Sequence, residues 1–374
     1  MANFRIGIDM RMAGDGFGIG KYTIQLARAL LRRSVFEYVL FFDKSFSRSA
    51  YEEFKNLGVE CHLVSARYYS LEEQIKLPLT LRSFKLDLVH FLNFNVPIFY
   101  FGKYIVTIHD LIHHHFPGTS TRTILWRLGY RVAINLAARR AKRVIAVSEN
   151  SKRDIISLLS VRSDKVSVVH EAVDESFKSI QKDEVGLVKA RHKIHKPYVL
   201  WVGVWRRYKN LETLVTAFNK LVKEGVDAQL VLAGEPDRHH PEVEAKIRAM
   251  ISQDRLVAPG RISSEDLVAL YAGATVFVNP SLSEGFGLTS VEAQTAGLPV
   301  IASDIAVMHE VLGDSALYFN PKSYDVLAVY MVKLMRDNPF REAMSQKSLA
   351  NAKRFSWDET AKKTEEVYYD ALNK

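Results

Sequence analysis

Short apolar runs alternate with longer amphipathic stretches along almost the whole chain. The apolar runs have the length and composition of buried strands, and stretches such as 21–32 and 211–223 have the apolar period of helices. Because strands that alternate with helices form parallel sheets with crossover helices, this pattern predicts an α/β protein. The predicted strands are 4–8, 38–42, 60–64, 86–91, 104–108, 143–147, 166–169, 198–202, 229–233, 275–279 and 299–302.

The stretch 174–197 divides this pattern. It is polar, rich in Lys and Glu and without a buried strand, while one strand–helix set precedes it and another follows. A length of 374 residues also favours two domains. We therefore predict two Rossmann-like, doubly wound parallel-sheet domains, 1–175 and 176–357. Since ligands bind at the carboxyl ends of the strands in such sheets, we expect the domains to face each other across a cleft that holds the site.

Composition excludes several classes of protein. The single cysteine, Cys61, rules out an intrachain disulfide, which fits a reducing cytoplasm. The N-terminal residues lack the charged and apolar regions of a signal peptide, and the sequence has no run of about 18 apolar residues that would span a bilayer. We therefore expect a cytoplasmic protein.

The segment 281–293 carries the strongest chemical signal, with Glu284 and Glu292 eight positions apart around a glycine-containing loop. It follows a predicted strand, and Thr289 or Ser290 would cap a helix that begins here. The helix N–H groups and dipole would form an anion site suited to a diphosphate, with both carboxylates placed to accept hydrogen bonds from the ligand. The alternative is an ordinary strand–loop–helix connection with two solvated glutamates.

Three cations, Arg206, Arg207 and Lys209, lie in the loop that follows the first predicted strand of the second domain. Cations at the carboxyl end of a strand suit phosphate oxygens, and they stabilise the charge that develops on a departing diphosphate. A solvated basic loop is the alternative interpretation.

Two further loops belong to the first domain. His109 follows a predicted strand and is placed to donate to a sugar hydroxyl, while Asp110 would orient it or fix a backbone turn. The adjacent histidines 113–115 do not share a helix face, which disfavours a metal site. The glycine-rich segment 9–21 has no Gly-x-Gly-x-x-Gly register, which disfavours an NAD-dependent dehydrogenase.

Together these loops resemble the retaining glycosyltransferases of the GT-B fold, specifically family four, which contains many bacterial mannosyl- and glucosyltransferases. The resemblance extends over nearly the whole chain. Its further segments are 18–22, 87–90, 147–151, 203–210, 232–234, 259–262, 270–271 and 296–300. The segment 358–374 looks like the family's last helix, which crosses back to the first domain.

The resemblance implies a role for each candidate residue. Catalytic contacts are implied for His109 and Glu284 with the donor sugar and for Lys209 with the phosphates, while Glu292 would hold the ribose hydroxyls. The other donor-binding residues would be Arg206, Arg207, Gly285, Phe286, Gly287, Leu288 and Thr289. The residues that border the reaction centre near the acceptor would be Gly18, Ile19 and Gly20.

The implied reaction is front-side transfer of a hexose from a nucleotide-diphosphate sugar to a saccharide or lipid-linked saccharide, with retention and without a metal or other cofactor. The chain lacks the Asp-x-Asp pair of metal-dependent transferases. Family frequency favours GDP-mannose, while UDP-glucose, UDP-N-acetylglucosamine and dTDP-rhamnose stay open. The alternatives are a nucleotide-sugar epimerase or hydrolase of the same fold and a non-catalytic protein that binds sugar nucleotides.

The distribution of charge predicts a membrane contact. Residues 1–175 hold 25 basic and 17 acidic side chains, and 121–143 hold seven basic and no acidic ones, interleaved with apolar residues. We predict that 121–143 form a basic amphipathic helix that binds the inner face of an anionic membrane. The alternative is a core-packed helix with a basic outer face. Nucleic acid is not an expected partner, because no reader fold surrounds the basic residues.

Overall fold

The computed structural model describes residues 4–14, 18–116, 121–178 and 182–373, without the side chains of 121–126 and 182. The chain divides into two compact units, Met1–Ala172 with Phe355–Lys374, and Val173–Arg354. Each unit is built around one parallel sheet. The α/β class predicted from the strand–helix alternation is therefore confirmed.

The first unit follows the predicted alternation of strands and helices. Its elements are β1 Arg5–Asp9, α1 Gly18–Arg33, β2 Glu37–Asp43, α2 Arg48–Asn56, β3 Glu60–Val64, α3 Leu71–Ser83, β4 Leu88–Phe91, β5 Tyr104–Ile108, α4 Ile112–His115, α5 Thr121–Arg140, β6 Arg143–Ala146, α6 Glu149–Leu159 and β7 Val166–Val168. The strands pair in the order β3-β2-β1-β4-β5-β6-β7, so the strand order reverses between β1 and β4.

The second unit repeats this architecture. Its elements are α7 Lys182–Arg191, β8 Tyr198–Val202, α8 Leu211–Lys223, β9 Gln229–Ala233, α9 Pro241–Met250, β10 Leu256–Gly260, α10 Ser264–Gly273, β11 Val276–Asn279, α11 Leu288–Thr295, β12 Val300–Ser303, α12 Ala306–Leu312, β13 Ala316–Phe319, α13 Tyr324–Arg336 and α14 Asn338–Ala352. The strands pair in the order β10-β9-β8-β11-β12-β13, with the reversal between β8 and β11.

The predicted strands omit β10 and β13, which are the two edges of the second sheet. The β10 sequence contains Pro259 and Gly260, residues that are depleted in strands, and its register against β9 is irregular. An edge strand pairs on one side only, so its sequence needs less of the continuous apolar character that marks a central parallel strand.

The last helix, α15 Trp357–Leu372, returns to the first unit and packs against its core. The hydroxyl of Tyr368 lies 2.8 Å from Nδ1 of His90, whose Nε2 lies 2.8 Å from the hydroxyl of Thr107. Burial lowers the pKa of His90 to about 3, so this imidazole is neutral. A buried hydrogen-bond chain therefore joins α15 to β4 and β5.

Alternation along the central strands fills both faces of the first sheet. Leu40 and Phe42 belong to the core that includes side chains of α1 and α15, while Val39 and Phe41 belong to the core that includes side chains of α3, α5 and α6. Successive side chains of a strand point to opposite faces, so a sheet covered on both sides needs apolar residues at every position. This explains the continuous apolar runs in the sequence.

Candidate functional site

Two loops meet where the strand order of the second sheet reverses. One follows β8 and the other follows β11, and these strands are neighbours at the centre of the sheet. The backbone N–H of Leu282 in the second loop donates to the carbonyl of Tyr208 in the first, at 2.8 Å. In open parallel sheets such a switch point leaves a crevice for a ligand at the carboxyl ends of the strands. The loops predicted to hold the donor lie at this point.

The structure brings Lys209 and Glu284 together. Lys209 Nζ lies 2.7 Å from Oε1 of Glu284, and the side chains are 15% and 10% exposed. Ser281 donates its hydroxyl to the same carboxylate oxygen, also at 2.7 Å. Partial burial strengthens this ion pair relative to a surface pair, because water screens it less. The sequence predicted both charged residues but not their contact with each other.

Asn210 holds the two loops in place, a role that the sequence analysis missed. Its backbone is left-handed, with φ of 54°, directly before α8. Its side-chain amide donates to the carbonyls of Pro280 and Pro321, at 3.0 and 2.9 Å, and its Oδ1 accepts from Thr213. The sequence does contain a signal for this role, namely an Asn at a strand–helix junction. Asn tolerates the left-handed backbone conformation better than most residues do.

The helix of the Glu-x7-Glu segment begins differently from the prediction. Thr289 and Ser290 lie inside α11, and Gly287 precedes the helix with a left-handed backbone, φ 85° and ψ 39°. No side chain caps this helix, so the predicted cap is wrong. The left-handed Gly287 occupies the cap position, so the helix begins at Leu288. Thr289 and Ser290 therefore lie too far along the chain to cap it. An uncapped first turn directs its N–H groups and positive dipole end toward a ligand.

Glu292 is buried inside α11 and is held by a residue that the sequence analysis did not assign to the site. The hydroxyl of Tyr271, on α10, donates to Oε2 of Glu292 at 2.9 Å and lies 3.2 Å from the carbonyl of Thr289. Burial and then the negative charge of Glu292 raise the pKa of Tyr271 well above its usual value, so the phenol keeps its proton and remains a donor. This contact fixes the orientation of the carboxylate.

The two predicted arginines pair with acidic side chains that follow β9. Arg206 Nε donates to Oδ2 of Asp237 at 2.8 Å, and Arg207 contacts Oε1 of Glu242 at 2.9 Å. The Arg206 side chain is 40% exposed and its carboxylate partner 9%, whereas the Arg207 pair is 67% and 47% exposed. The ion pair of Arg206 is therefore the less exposed of the two.

His109 occupies a site in the first unit in which both ring nitrogens face oxygen acceptors. Nδ1 lies 2.7 Å from Oε1 of Glu171, and Nε2 lies 3.0 Å from the carbonyl of Leu92. Burial lowers the pKa of His109, but the hydrogen bond and charge of Glu171 outweigh burial and raise it overall. An imidazolium, which donates from both nitrogens, would satisfy both of these acceptors. Asp110 instead fixes a turn, because its Oδ1 accepts from the N–H of Ile112 at 3.0 Å.

The predicted acceptor residues form the first turn of α1. Gly18 is exposed and Gly20 is buried, and residues 15–17 of the same predicted loop lie outside the described residues. A Cβ on Gly20 would come within 2.2 Å of the Gly14 carbonyl oxygen, so the chain returns on itself here at a distance that only glycine permits. Gly18, Ile19 and Gly20 thus lie at the helix end that follows β1.

The predicted basic segment 121–143 is not one continuous amphipathic helix. Arg143 lies in β6, is 7% exposed, and pairs with Asp370 of α15 at 2.9 Å. Arg140 donates to the carbonyls of Ile98 and Tyr100, at 2.5 and 2.8 Å. The predicted continuous helix is therefore wrong at Arg143, because α5 ends at Arg140. Both arginines hold the unit together, and the membrane contact stays a prediction. Across the described ranges, no helix is both long and apolar enough to span a bilayer.

The histidines 113–115 belong to α4 and its end. His115 Nε2 lies 3.0 Å from Oδ2 of Asp154, on α6. In the part of the chain that the structure describes, no group of three or more His, Cys, Asp and Glu side chains is arranged to hold a metal ion.

Two family models match consecutive parts of the chain. The model described as Glycosyltransferase Family 4 matches residues 18–177, and the model described as Glycosyl transferases group 1 matches residues 187–350. Among named relatives, O-antigen chain mannosyltransferase B of Escherichia coli is 26% identical over 367 residues, which are 94% of this chain and 95% of that protein. O-antigen chain mannosyltransferase RfbU of Salmonella typhimurium is 30% identical over 58% of this chain and 56% of that protein.

Solved structures show the same fold. Anabaena Alr3699/HepE, in complex with UDP and glucose, aligns over 98% of this chain and 100% of its own, with a TM-score of 0.77 and 18% identity. WaaG, described as a glycosyltransferase involved in lipopolysaccharide biosynthesis, aligns with a TM-score of 0.74 at 15% identity, over 97% of this chain and 99% of its own. The predicted fold class is confirmed. The predicted cleft between the domains stays a prediction.

Proposed function

Because this chain belongs to the family 4, group 1 glycosyltransferases and has their GT-B fold, we propose that it transfers mannose from GDP-mannose to a saccharide or lipid-linked saccharide acceptor. Mannose is favoured by the similarity to O-antigen chain mannosyltransferase B, which extends over 94% of this chain. That relative and RfbU also favour a place in polysaccharide synthesis. The single observation that carries the proposal is the meeting of Lys209 and Glu284 beside the uncapped start of α11.

The diphosphate of the donor would bind between the start of α11 and the loop after β8. The helix end supplies N–H donors and a positive dipole, and Lys209 supplies a charge at the same switch point. When phosphate oxygens take the ammonium of Lys209, Glu284 is released to accept from donor-sugar hydroxyls. Arg206 would add a second cation by exchanging Asp237 for a phosphate.

The nucleoside would be held through Glu292. Tyr271 orients this buried carboxylate by a hydrogen bond to one oxygen. A carboxylate accepts only, so it matches the paired hydroxyl donors of a ribose. We propose guanine as the base because GDP-mannose is the donor that the sequence resemblance favours. The mannosyltransferase relatives support mannose as the sugar.

The reaction would retain the anomeric configuration. The acceptor hydroxyl oxygen forms a bond to the anomeric carbon as the bond to the diphosphate oxygen breaks on the same face, and the proton passes to the departing diphosphate. Lys209 and the α11 N–H groups stabilise the charge on that leaving group. These residues supply the positive charge that a metal would otherwise supply, so we propose a reaction without metal. The contact between His109 and the donor sugar stays a prediction from the resemblance.

Donor binding and transfer are tested on the same variants. Calorimetry with GDP-mannose, UDP-glucose, UDP-N-acetylglucosamine and dTDP-rhamnose, each with EDTA and with Mg²⁺, should show binding of GDP-mannose in both conditions. Glu292→Gln should abolish most of that binding. Lys209→Ala should lower turnover by about 100-fold, more than it lowers affinity, because charge on the leaving group develops only during the reaction.

Lys220→Ala is the control, because Lys220 makes an ion pair of similar length, 2.8 Å to Asp325, but on the exposed side of α8 and away from the switch point. Its turnover should equal that of the wild type. Product analysis by NMR then separates the alternatives. A glycoside with the donor's anomeric configuration supports transfer, free mannose indicates a hydrolase, an altered sugar nucleotide indicates an epimerase, and binding without turnover indicates a non-catalytic protein.

A further inference from the structure

Helix α3 turns an apolar face outward. Leu71, Ile75 and Leu79 recur at four-residue intervals and are 87%, 61% and 61% exposed. The opposite face holds Leu77 and Leu81, which are buried in the core of the first unit. Large apolar side chains exposed singly are ordinary, but a stripe along one helix face indicates a surface that binds something.

The loop between β4 and β5 extends this face. Phe99 and Phe101 are 55% and 69% exposed. The N–H of Ile98 donates to Oε1 of Gln74, on α3, at 2.7 Å, which fixes the loop against the helix. Arg140 also anchors the loop, because its guanidinium donates to the backbone carbonyls on either side of Phe99. We call the five exposed apolar side chains of this helix and loop the α3 surface. They are Leu71, Ile75, Leu79, Phe99 and Phe101.

The charges around the α3 surface are mainly positive. The Arg140 guanidinium carbon lies 4.6 Å from the ring centre of Phe101, and Arg82 is exposed on α3, three positions after Leu79. Lys103 is exposed two positions after Phe101. The acidic Glu72 is paired with Lys76 at 3.0 Å, so it adds no net charge.

We propose that the α3 surface docks on an anionic lipid bilayer. Leucine, isoleucine and phenylalanine side chains enter the boundary between headgroups and acyl chains, and the surrounding cations bind lipid phosphates. A second copy of the chain fits this surface less well, because a two-fold contact would bring the same cations against each other. The α3 surface thus lies outside the predicted segment 121–143, although Arg140 of that segment supports its β4–β5 loop.

The start of α3 is tied to the carboxyl end of β1 in the first sheet. Glu73 is buried, and its Oε1 lies 2.7 Å from a guanidinium nitrogen of Arg11, which pairs with Asp9 at 2.8 Å, at the carboxyl end of β1. A bilayer under α3 would therefore lie next to the edge from which α1 and its glycines begin. That placement suits a lipid-linked rather than a freely diffusing acceptor, and this part of the inference rests on the proposed function.

The test is co-sedimentation with vesicles of phosphatidylglycerol and phosphatidylcholine, and of phosphatidylcholine alone. The wild type should bind the anionic vesicles, and salt should weaken binding. The variant Leu71→Gln/Ile75→Gln/Leu79→Gln should bind at least about 10-fold more weakly, because it loses the buried apolar area. The control variant Leu57→Gln/Leu187→Gln/Val329→Gln removes apolar side chains of similar exposure, 66%, 67% and 60%, from other helices or their ends and should bind like the wild type.

Equal vesicle binding by the α3 variant, or no vesicle binding by the wild type, overturns the proposal. So does a lipid-free dimer of the wild type that the α3 variant converts to a monomer, measured by light scattering. Calorimetry with GDP-mannose on the same proteins keeps the two proposals apart. Donor binding should be equal in all three, and its absence in a wild type that still binds vesicles would refute the proposed function alone.

Discussion

At the scale of single residues, the site cations are already neutralised by the chain itself. Lys209, Arg206 and Arg207 each have a carboxylate partner within 3 Å, at 2.7, 2.8 and 2.9 Å. A ligand phosphate must therefore replace a carboxylate, and the free energy gained is a difference between two ion pairs. Replacement of the carboxylate by a phosphate is most specific where burial strengthens both the ion pair that is broken and the one that is formed. This is the case at Lys209.

The contact of Glu171 with His109 can be tested by measuring how stability depends on pH. Oε1 of Glu171 lies 2.7 Å from Nδ1 of His109, and folding raises the pKa of His109 through this contact in spite of burial. A group whose pKa is raised by folding stabilises the fold fully below its unfolded pKa, about 6.5, and loses that contribution as pH rises through the folded pKa. Glu171→Gln should therefore lower the free energy of unfolding by about 1–3 kcal/mol near pH 6, and by less near pH 9.

Chemical denaturation at both pH values measures this difference. The same substitution in a His109→Asn background supplies the control, because without the imidazole the effect of Glu171→Gln should be small and independent of pH. NMR titration of the His109 ring gives a second measure, with a lower pKa expected in Glu171→Gln. A pH-independent cost in the wild-type background would mean that the ring is neutral and that Glu171 acts only as a hydrogen-bond partner.

At the scale of elements, the start of α11 depends on one backbone conformation. Gly287 has φ of 85°, and a Cβ there would lie 2.8 Å from the end of the Met308 side chain. Gly287→Ala should cost about 1–3 kcal/mol of stability through backbone strain, and it should weaken GDP-mannose binding because the first-turn N–H groups move. Gly58 is the matched position, since its φ is 77° and no atom lies within 4 Å of the added carbon.

Thermal unfolding and calorimetry on both alanine variants separate strain from function. Both should lose stability, but only Gly287→Ala should lose donor affinity. If Gly287→Ala binds the donor as tightly as the wild type does, the diphosphate does not bind at this helix end.

At the scale of the whole molecule, α15 ties the end of the chain to the first unit. Besides the contact of Tyr368 with His90, Arg33 of α1 pairs with Glu365 at 2.8 Å and Arg143 pairs with Asp370. The chain thus leaves the first unit at Ala172 and re-enters it at Phe355, so the stability of the first unit includes a segment distant in sequence.

Tyr368→Phe tests this arrangement. It leaves a buried nitrogen of His90 without its partner, which should cost about 1–3 kcal/mol. Hydrogen exchange should show the lost protection in peptides of the first unit, including β4, β5 and α15, and unchanged protection in 173–354. Tyr369→Phe is the control, because Tyr369 is 42% exposed and its hydroxyl can turn to water. Equal loss in both units would show that they unfold together.

The sequence by itself determined the class of fold, the number of units and the loops that carry charge. Those features are local, because a buried parallel strand must be apolar throughout and a ligand loop must follow it. Edge strands such as β10 and the glycine start of α11 escaped prediction, since an edge needs little apolar character and a left-handed glycine leaves no other trace in composition.

Only the tertiary structure decided which groups meet. Glu171 lies 62 positions from His109, and Tyr368 lies 278 positions from His90. Tyr271 meets Glu292 across two helices, and Arg140 supports the loop of the α3 surface. Such contacts depend on the order in which strands pair and on which helix face is left uncovered, and a linear pattern of residues specifies neither.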